Sequence, residues 1–183
     1  MATMSYGFSR PEDIYAKLKR DGEKLTGKPE PDHVFNFLVT AVALHEWIAG
    51  AFSKHPLVLA VSQALDEENW EFLPEESKAW VVGRHCIPNP DIDVRIHVLN
   101  AMFLCGRAAG ASKHFHWRKG GVRAVEPEPI VTDWYQYFNA SVEEDLYFDF
   151  EGEVYGLMQI RDILDQFYGN LLSRLTSAGG TAG

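Results

Sequence analysis

Arg107 and His114 stand seven residues apart within residues 89–121, NPDIDVRIHVLNAMFLCGRAAGASKHFHWRKGG, and of all the side chains in this chain they are the best suited to joint chemistry. A guanidinium is a permanent cation shaped to bind phosphate or carboxylate, and an imidazole exchanges a proton near neutral pH. Seven residues make almost two helical turns, so on one helix the two groups share a side, about 10.5 Å apart along the axis. Asn100 falls on the same line, and Asp93 and His97 lie close to it. Such a pair can act together on a negatively charged guest. The plainer reading is a structural stripe, in which these groups bond to His45 and other core residues.

The element that positions the pair reads as one long helix. Asn89 suits the cap, Pro90 the first helical position, and Asp91 and Asp93 the positive end of the macrodipole. Gly120 and Gly121 mark its stop. Ile96, Val98, Leu99, Met102, Phe103 and Cys105 make most of its circumference apolar, which predicts burial. The small residues Gly106, Ala108, Ala109, Gly110 and Ala111 let a neighbouring backbone come close to the pair.

Around it the chain predicts a mainly α bundle of about five to six helices. Ser9-Arg10-Pro11-Glu12 reads as a capping box opening a first helix through about Glu23. A second, central helix runs from Asp32 to roughly Lys54, with His45 on an apolar face as a further candidate site residue. Pro56 opens a third helix, and Pro74 a fourth, PEESKAWVVGRHC. After Gly121 the period changes: Ile130, Thr132, Trp134, Tyr135, Tyr137 and Phe138 suggest a strand, and Leu146–Tyr155 a hairpin turning at Glu151-Gly152. This gives a small antiparallel β-hairpin or sheet, at about residues 125–155, inserted before a C-terminal helix from about Leu157 to Leu175. The expected organisation is a flexible leader over 1–8, a single domain over 9–176 and a disordered tail over 177–183.

Bulk properties narrow the function. The 183 residues fit one domain, and 46% hydrophobic with 23% charged residues is ordinary for a globular chain. The longest apolar run, residues 34–52, is interrupted by Asn36, His45 and Glu46, and the N-terminus lacks the pattern of a signal peptide, so a cytoplasmic protein without a membrane anchor is expected. Cys86 and Cys105 are read as buried free thiols. A net charge of −9 argues against a protein that coats duplex nucleic acid. Locally the sign reverses: residues 106–124 carry Arg107, Lys113, Arg118, Lys119 and Arg123, with His114 and His116 and no carboxylate. Residues 125–165 are strongly acidic.

The common signatures of phosphate loops, dinucleotide sites, nucleophile elbows and zinc proteases are absent, since His45-Glu46-Trp47-Ile48-Ala49 ends in alanine rather than histidine. Two cysteines are too few for a four-thiolate zinc site and form no C-x-x-C pattern, and the two Glu-x-x-His motifs that a carboxylate-bridged di-metal site needs do not occur. No metal and no cofactor are expected.

The run Arg107-Ala108-Ala109-Gly110-Ala111-Ser112-Lys113-His114 resembles the Arg-x(4–6)-His motif of the HEPN superfamily, small helical bundles that include ribonucleases. Ala108 stands where active members frequently carry a polar residue. The resemblance implies a metal-independent endoribonuclease with Arg107 and His114 as catalytic residues. His114 would exchange the proton and Arg107 would stabilise the phosphorane oxygens during attack by the 2′-hydroxyl, leaving a 2′,3′-cyclic phosphate. Lys113, Arg118 and Lys119 would bind flanking phosphates, with Asn100, His116 and His45 as further substrate-binding candidates. It also implies a homodimer with two motifs facing one cleft, and a toxin or phage-defence effector held in check by an antitoxin or other regulatory protein. The alternative is a non-catalytic helical module that binds a protein or a small anionic ligand in the same cationic pocket.

Overall fold

A computed structural model of the chain describes the backbone of residues 7–26, 29–80, 94–114, 122–125, 147–150 and 153–179. Side chains are described for these except residues 70, 78–79, 94–97, 110–114, 122–125, 147–150, 153–155 and 178–179. The chain is mainly helical: α1 (Pro11–Glu23), α2 (Pro31–Ala51), α3 (Pro56–Asp66), α4 (Val94–His114) and α5 (Leu157–Gly179). Three four-residue strands, β1 (Val122–Val125), β2 (Tyr147–Phe150) and β3 (Glu153–Gly156), pair antiparallel in that order, with Val122 opposite Phe150 and Tyr147 opposite Gly156.

Proline starts three of the helices, at Pro11, Pro31 and Pro56, where a missing N–H costs nothing and the ring presets φ. The capping box of α1 sits one residue later than expected. Arg10 is the N-cap, and the acid three residues on is Asp13 rather than Glu12; its Oδ2 accepts from the Ser9 N–H at 2.8 Å and the Arg10 N–H at 3.2 Å. At α3 the cap is His55, whose Nδ1 accepts from the Leu57 N–H at 3.3 Å.

Helices α1, α2, α4 and α5 close a ring in which each packs on the next and α5 returns to α1, while α3 lies against α2 and α4. Leu18 of α1, Phe37, Leu44 and Ile48 of α2, Leu104 of α4 and Phe167 of α5 fill the centre, each at most 1% exposed. Trp80 closes one end, its ring centroid 5.5 Å from that of Phe167. Phe8, assigned by its position to a loose leader, packs against this core because its ring removes more apolar area from water than the free end gains in entropy.

Polar groups bridge the α1–α2 seam. Asp21, only 6% exposed, accepts from Lys17 Nζ and, at 2.9 Å, from Thr40 Oγ1, and Lys17 Nζ also donates to Thr40 at 2.6 Å. The buried carboxylate thus has both a counter-charge and a hydroxyl donor.

Two further expectations need correction. The helix foreseen from Pro74 is, within the described residues, a short 3₁₀ segment, Glu75–Ala79. Ser77 Oγ donates locally to the Pro74 carbonyl at 2.6 Å, and Asn170 of α5 donates its Nδ2 to the Trp80 carbonyl at 3.0 Å, so one local and one tertiary partner take carbonyls that a longer α-helix would use. Helix α5 extends to Gly179, beyond the expected end at Leu175, and its last turns are supported by Thr176 and Ser177 hydroxyls donating to the Leu172 and Ser173 carbonyls. Helix α2 is, by length and composition alone, apolar enough to cross a membrane, with a mean hydropathy of 1.4, a test that the buried core helix of a bundle also passes. The proposed strand at 130–138, the start of the long helix at 89–93 and Cys86 lie outside the described residues.

Candidate functional site

Among the described side chains of helix α4, residues 98–109, most are enclosed by the bundle. Val98, Leu99, Ala101, Met102, Leu104, Cys105, Ala108 and Ala109 are all buried, and the departures among described side chains are Asn100, Phe103, Gly106 and Arg107. Each helical residue turns about 100°, so Asn100, Phe103 and Arg107 fall within roughly 60° of one another, between the buried rows of Leu99 and Leu104. The exposed Gly106 widens this sector toward the C-terminal end. The backbone stays helical through His114, and by the same rotation position 114 falls inside the sector, between Phe103 and Arg107. Lys113 occupies the same last turn. The side chains of Lys113 and His114 are not among those described, and His116, Arg118 and Lys119 lie outside the described residues.

Arg107 is the best-defined charged group of the sector. Its side chain keeps 33% exposure, while Ala108 and Ala109 beside it are 2% and 5% exposed because their small side chains sit under neighbouring helices. Its Nη2 donates to Glu68 Oε1 at 3.5 Å, a long contact between a half-buried guanidinium and a carboxylate that is 61% exposed. Asn100 is half-buried one heptad earlier. Cys105, on the opposite side of α4, is fully enclosed; burial pushes its thiol up to about 12, so it packs as an inert apolar group.

His45 lies elsewhere. It is half-buried on α2 and looks to α3, with Nε2 3.5 Å from Ser62 Oγ. Its Nδ1 is enclosed without a hydrogen-bond partner among the described residues. Burial lowers the imidazole below its ordinary value, and the nearby carboxylates Asp66 and Glu46 pull the other way. The net shift is downward, which favours the neutral ring. His45 and Arg107 therefore both answer to the end of α3, His45 through Ser62 and Asp66 and Arg107 through Glu68, and no described contact joins them to each other.

Glu68 is the residue of this site that sequence reasoning missed. The available signal was Asp66-Glu67-Glu68, three acids closing an apolar helix at a point where glycine would be the ordinary stop. Among the described residues no group of three or more His, Cys, Asp or Glu is arranged to hold a metal ion. No family model, curated protein or solved structure matches this chain.

Proposed function

We propose that this chain is a metal-independent endoribonuclease of the HEPN type, a helical bundle with a small β-hairpin before its last helix, in which Arg107 and His114 act on the scissile phosphate of RNA. The observation that supports the reading is the open sector of α4 among its described side chains, where Arg107 keeps 33% exposure, together with the helical backbone that carries position 114 onto the same line. In this mechanism the imidazole of His114 takes the proton of the 2′-hydroxyl as that oxygen attacks phosphorus. The guanidinium of Arg107 stabilises the charge gathered on the non-bridging oxygens. The bond to the 5′-oxygen breaks, that oxygen takes up a proton, and a 2′,3′-cyclic phosphate remains. A homodimer facing two motifs across one cleft would supply a second imidazole for that proton. Lys113, Arg118 and Lys119 would hold flanking phosphates, and the setting would be a cytoplasmic toxin or defence effector restrained by a regulatory protein.

The test is incubation with end-labelled RNA in excess EDTA, comparing the wild type with Arg107→Ala and His114→Ala and mapping the ends formed. Cyclic-phosphate ends from the wild type, reduced about 10²-fold or more in each variant while helical content is kept, are expected. Absence of EDTA-resistant cleavage, or equal cleavage by the variants, removes the nuclease reading.

A second reading is favoured by the Arg107–Glu68 contact, in which the guanidinium is already engaged by a carboxylate. On this reading the sector binds an anionic ligand or an acidic protein segment without chemistry. RNA retained but never cut would select it.

A further inference from the structure

The turn that follows α3 is closed by two backbone hydrogen bonds, Glu68 N–H to the Leu65 carbonyl at 3.3 Å and Asn69 N–H to the Ala64 carbonyl at 3.0 Å. This nested pair is the Schellman ending of a helix, and it places the residue between the last helical turn and the outgoing chain in the left-handed region. Glycine is the usual occupant because a Cβ there crowds the following carbonyl. Here the occupant is Glu68, with φ of +49°, and among the described residues no other non-glycine residue has a positive φ. A strained backbone at a position that glycine would fill without strain directs attention to the side chain that glycine would lack. That side chain ends at Arg107, Oε1 to Nη2 3.5 Å, across a sequence separation of 39 residues.

We infer that Glu68 is a built-in competitor for the anion at Arg107. The inference rests on the reading of Arg107 as the phosphate-binding cation given above. Carboxylate and phosphate oxygens use the same donors of a guanidinium, so a phosphate of the substrate must displace Glu68 to make a full contact. The left-handed turn fixes where the carboxylate starts, and its 61% exposure leaves it room to swing into solvent when displaced. Exposed ion pairs are weak, so the device sets a threshold for binding rather than a lock, worth about two- to fivefold in affinity.

The experiment is fluorescence anisotropy with a fluorescein-labelled 2′-O-methyl oligouridylate, which cannot be cleaved by 2′-oxygen attack. The proteins are the wild type, Glu68→Gln, Arg107→Gln, the double variant and Glu67→Gln. Glu68→Gln keeps the Cβ and hence the backbone strain while removing the charge. Glu67→Gln removes the same formal charge one residue away, at a side chain whose Oε1 accepts from Gln63 at 2.8 Å. The expected result is binding tightened about two- to fivefold by Glu68→Gln, unchanged by Glu67→Gln, and no gain from Glu68→Gln once Arg107 is glutamine. If Arg107→Gln weakens binding but Glu68→Gln does not tighten it, or Glu67→Gln tightens it as much, the competitor is refuted and the anion site stands. If Arg107→Gln leaves binding unchanged, the anion site itself fails and the inference falls with it.

Discussion

The phenolic oxygen of Tyr15 on α1 lies so close to Gly169 on α5 that a Cβ at residue 169 would come within 2.5 Å of it. Tyr15 is held there by donating to Asp165 Oδ1 at 2.7 Å, with the Asp165 carbonyl 3.1 Å away, and burial with the Asp165 contact raises its ionisation well above the usual phenol range. The α1–α5 seam that closes the ring of helices therefore depends on a glycine in mid-helix, where alanine would ordinarily be preferred by about 1 kcal/mol.

Gly169→Ala should invert that preference and destabilise the fold by about 1–3 kcal/mol, because the added methyl must push the Tyr15 hydroxyl off Asp165. In a Tyr15→Phe background the oxygen is gone and the penalty should shrink by at least about 0.5 kcal/mol. Urea denaturation of the four proteins measures this coupling, and strictly additive effects would refute the contact as its cause.

Thr40→Val keeps the shape of the side chain at the α1–α2 seam but takes a hydroxyl donor from the buried Asp21 carboxylate. A loss of about 1–3 kcal/mol is expected from leaving that acceptor short of a partner. A denaturation midpoint equal to wild type would mean that Lys17 alone satisfies Asp21.

His45 makes stability depend on pH in a defined direction. Burial holds its folded-state ionisation below 6.5, so on acidification the unfolded chain binds the proton first. Stability from this group is fully present above about 6.5 and falls as pH drops below that value toward the lowered folded-state one. Melting temperatures at pH 7.5 and 5.5 should therefore differ more for the wild type than for His45→Leu. Equal slopes for the two proteins would show that the acid sensitivity arises elsewhere.

Glu68→Gly and Glu68→Gln both remove the ion pair with Arg107, but only the glycine variant also relieves the left-handed backbone. Glycine should be the more stable of the two by about 0.5–1 kcal/mol, a difference that excludes the ion pair from the comparison. Thermal unfolding of the two variants side by side decides it, and a glutamine variant at least as stable as the glycine one would show that φ of +49° carries no strain.

The linear order of residues by itself determined the helical character of this protein and where most helices begin. Pro11, Pro31 and Pro56 can sit only in first turns, and the apolar spacing through α1, α2, α3, α4 and α5 is a local property that any helix of these residues would show. It also placed Arg107 and His114 on one line of α4, since that follows from the helical repeat alone. What only the tertiary structure decided is which groups meet. Tyr15 and Asp165 are 150 positions apart and Arg107 and Glu68 are 39 apart, and no periodicity within either segment encodes those contacts. The 3₁₀ turn rather than a helix at Glu75–Ala79 has the same origin, since near-equal local options are separated by about 1 kcal/mol and a hydrogen bond of that size from Asn170 of α5 bears on the choice, whereas the capping of α1 by Asp13 rather than Glu12 is settled locally by the Ser9 and Arg10 N–H groups.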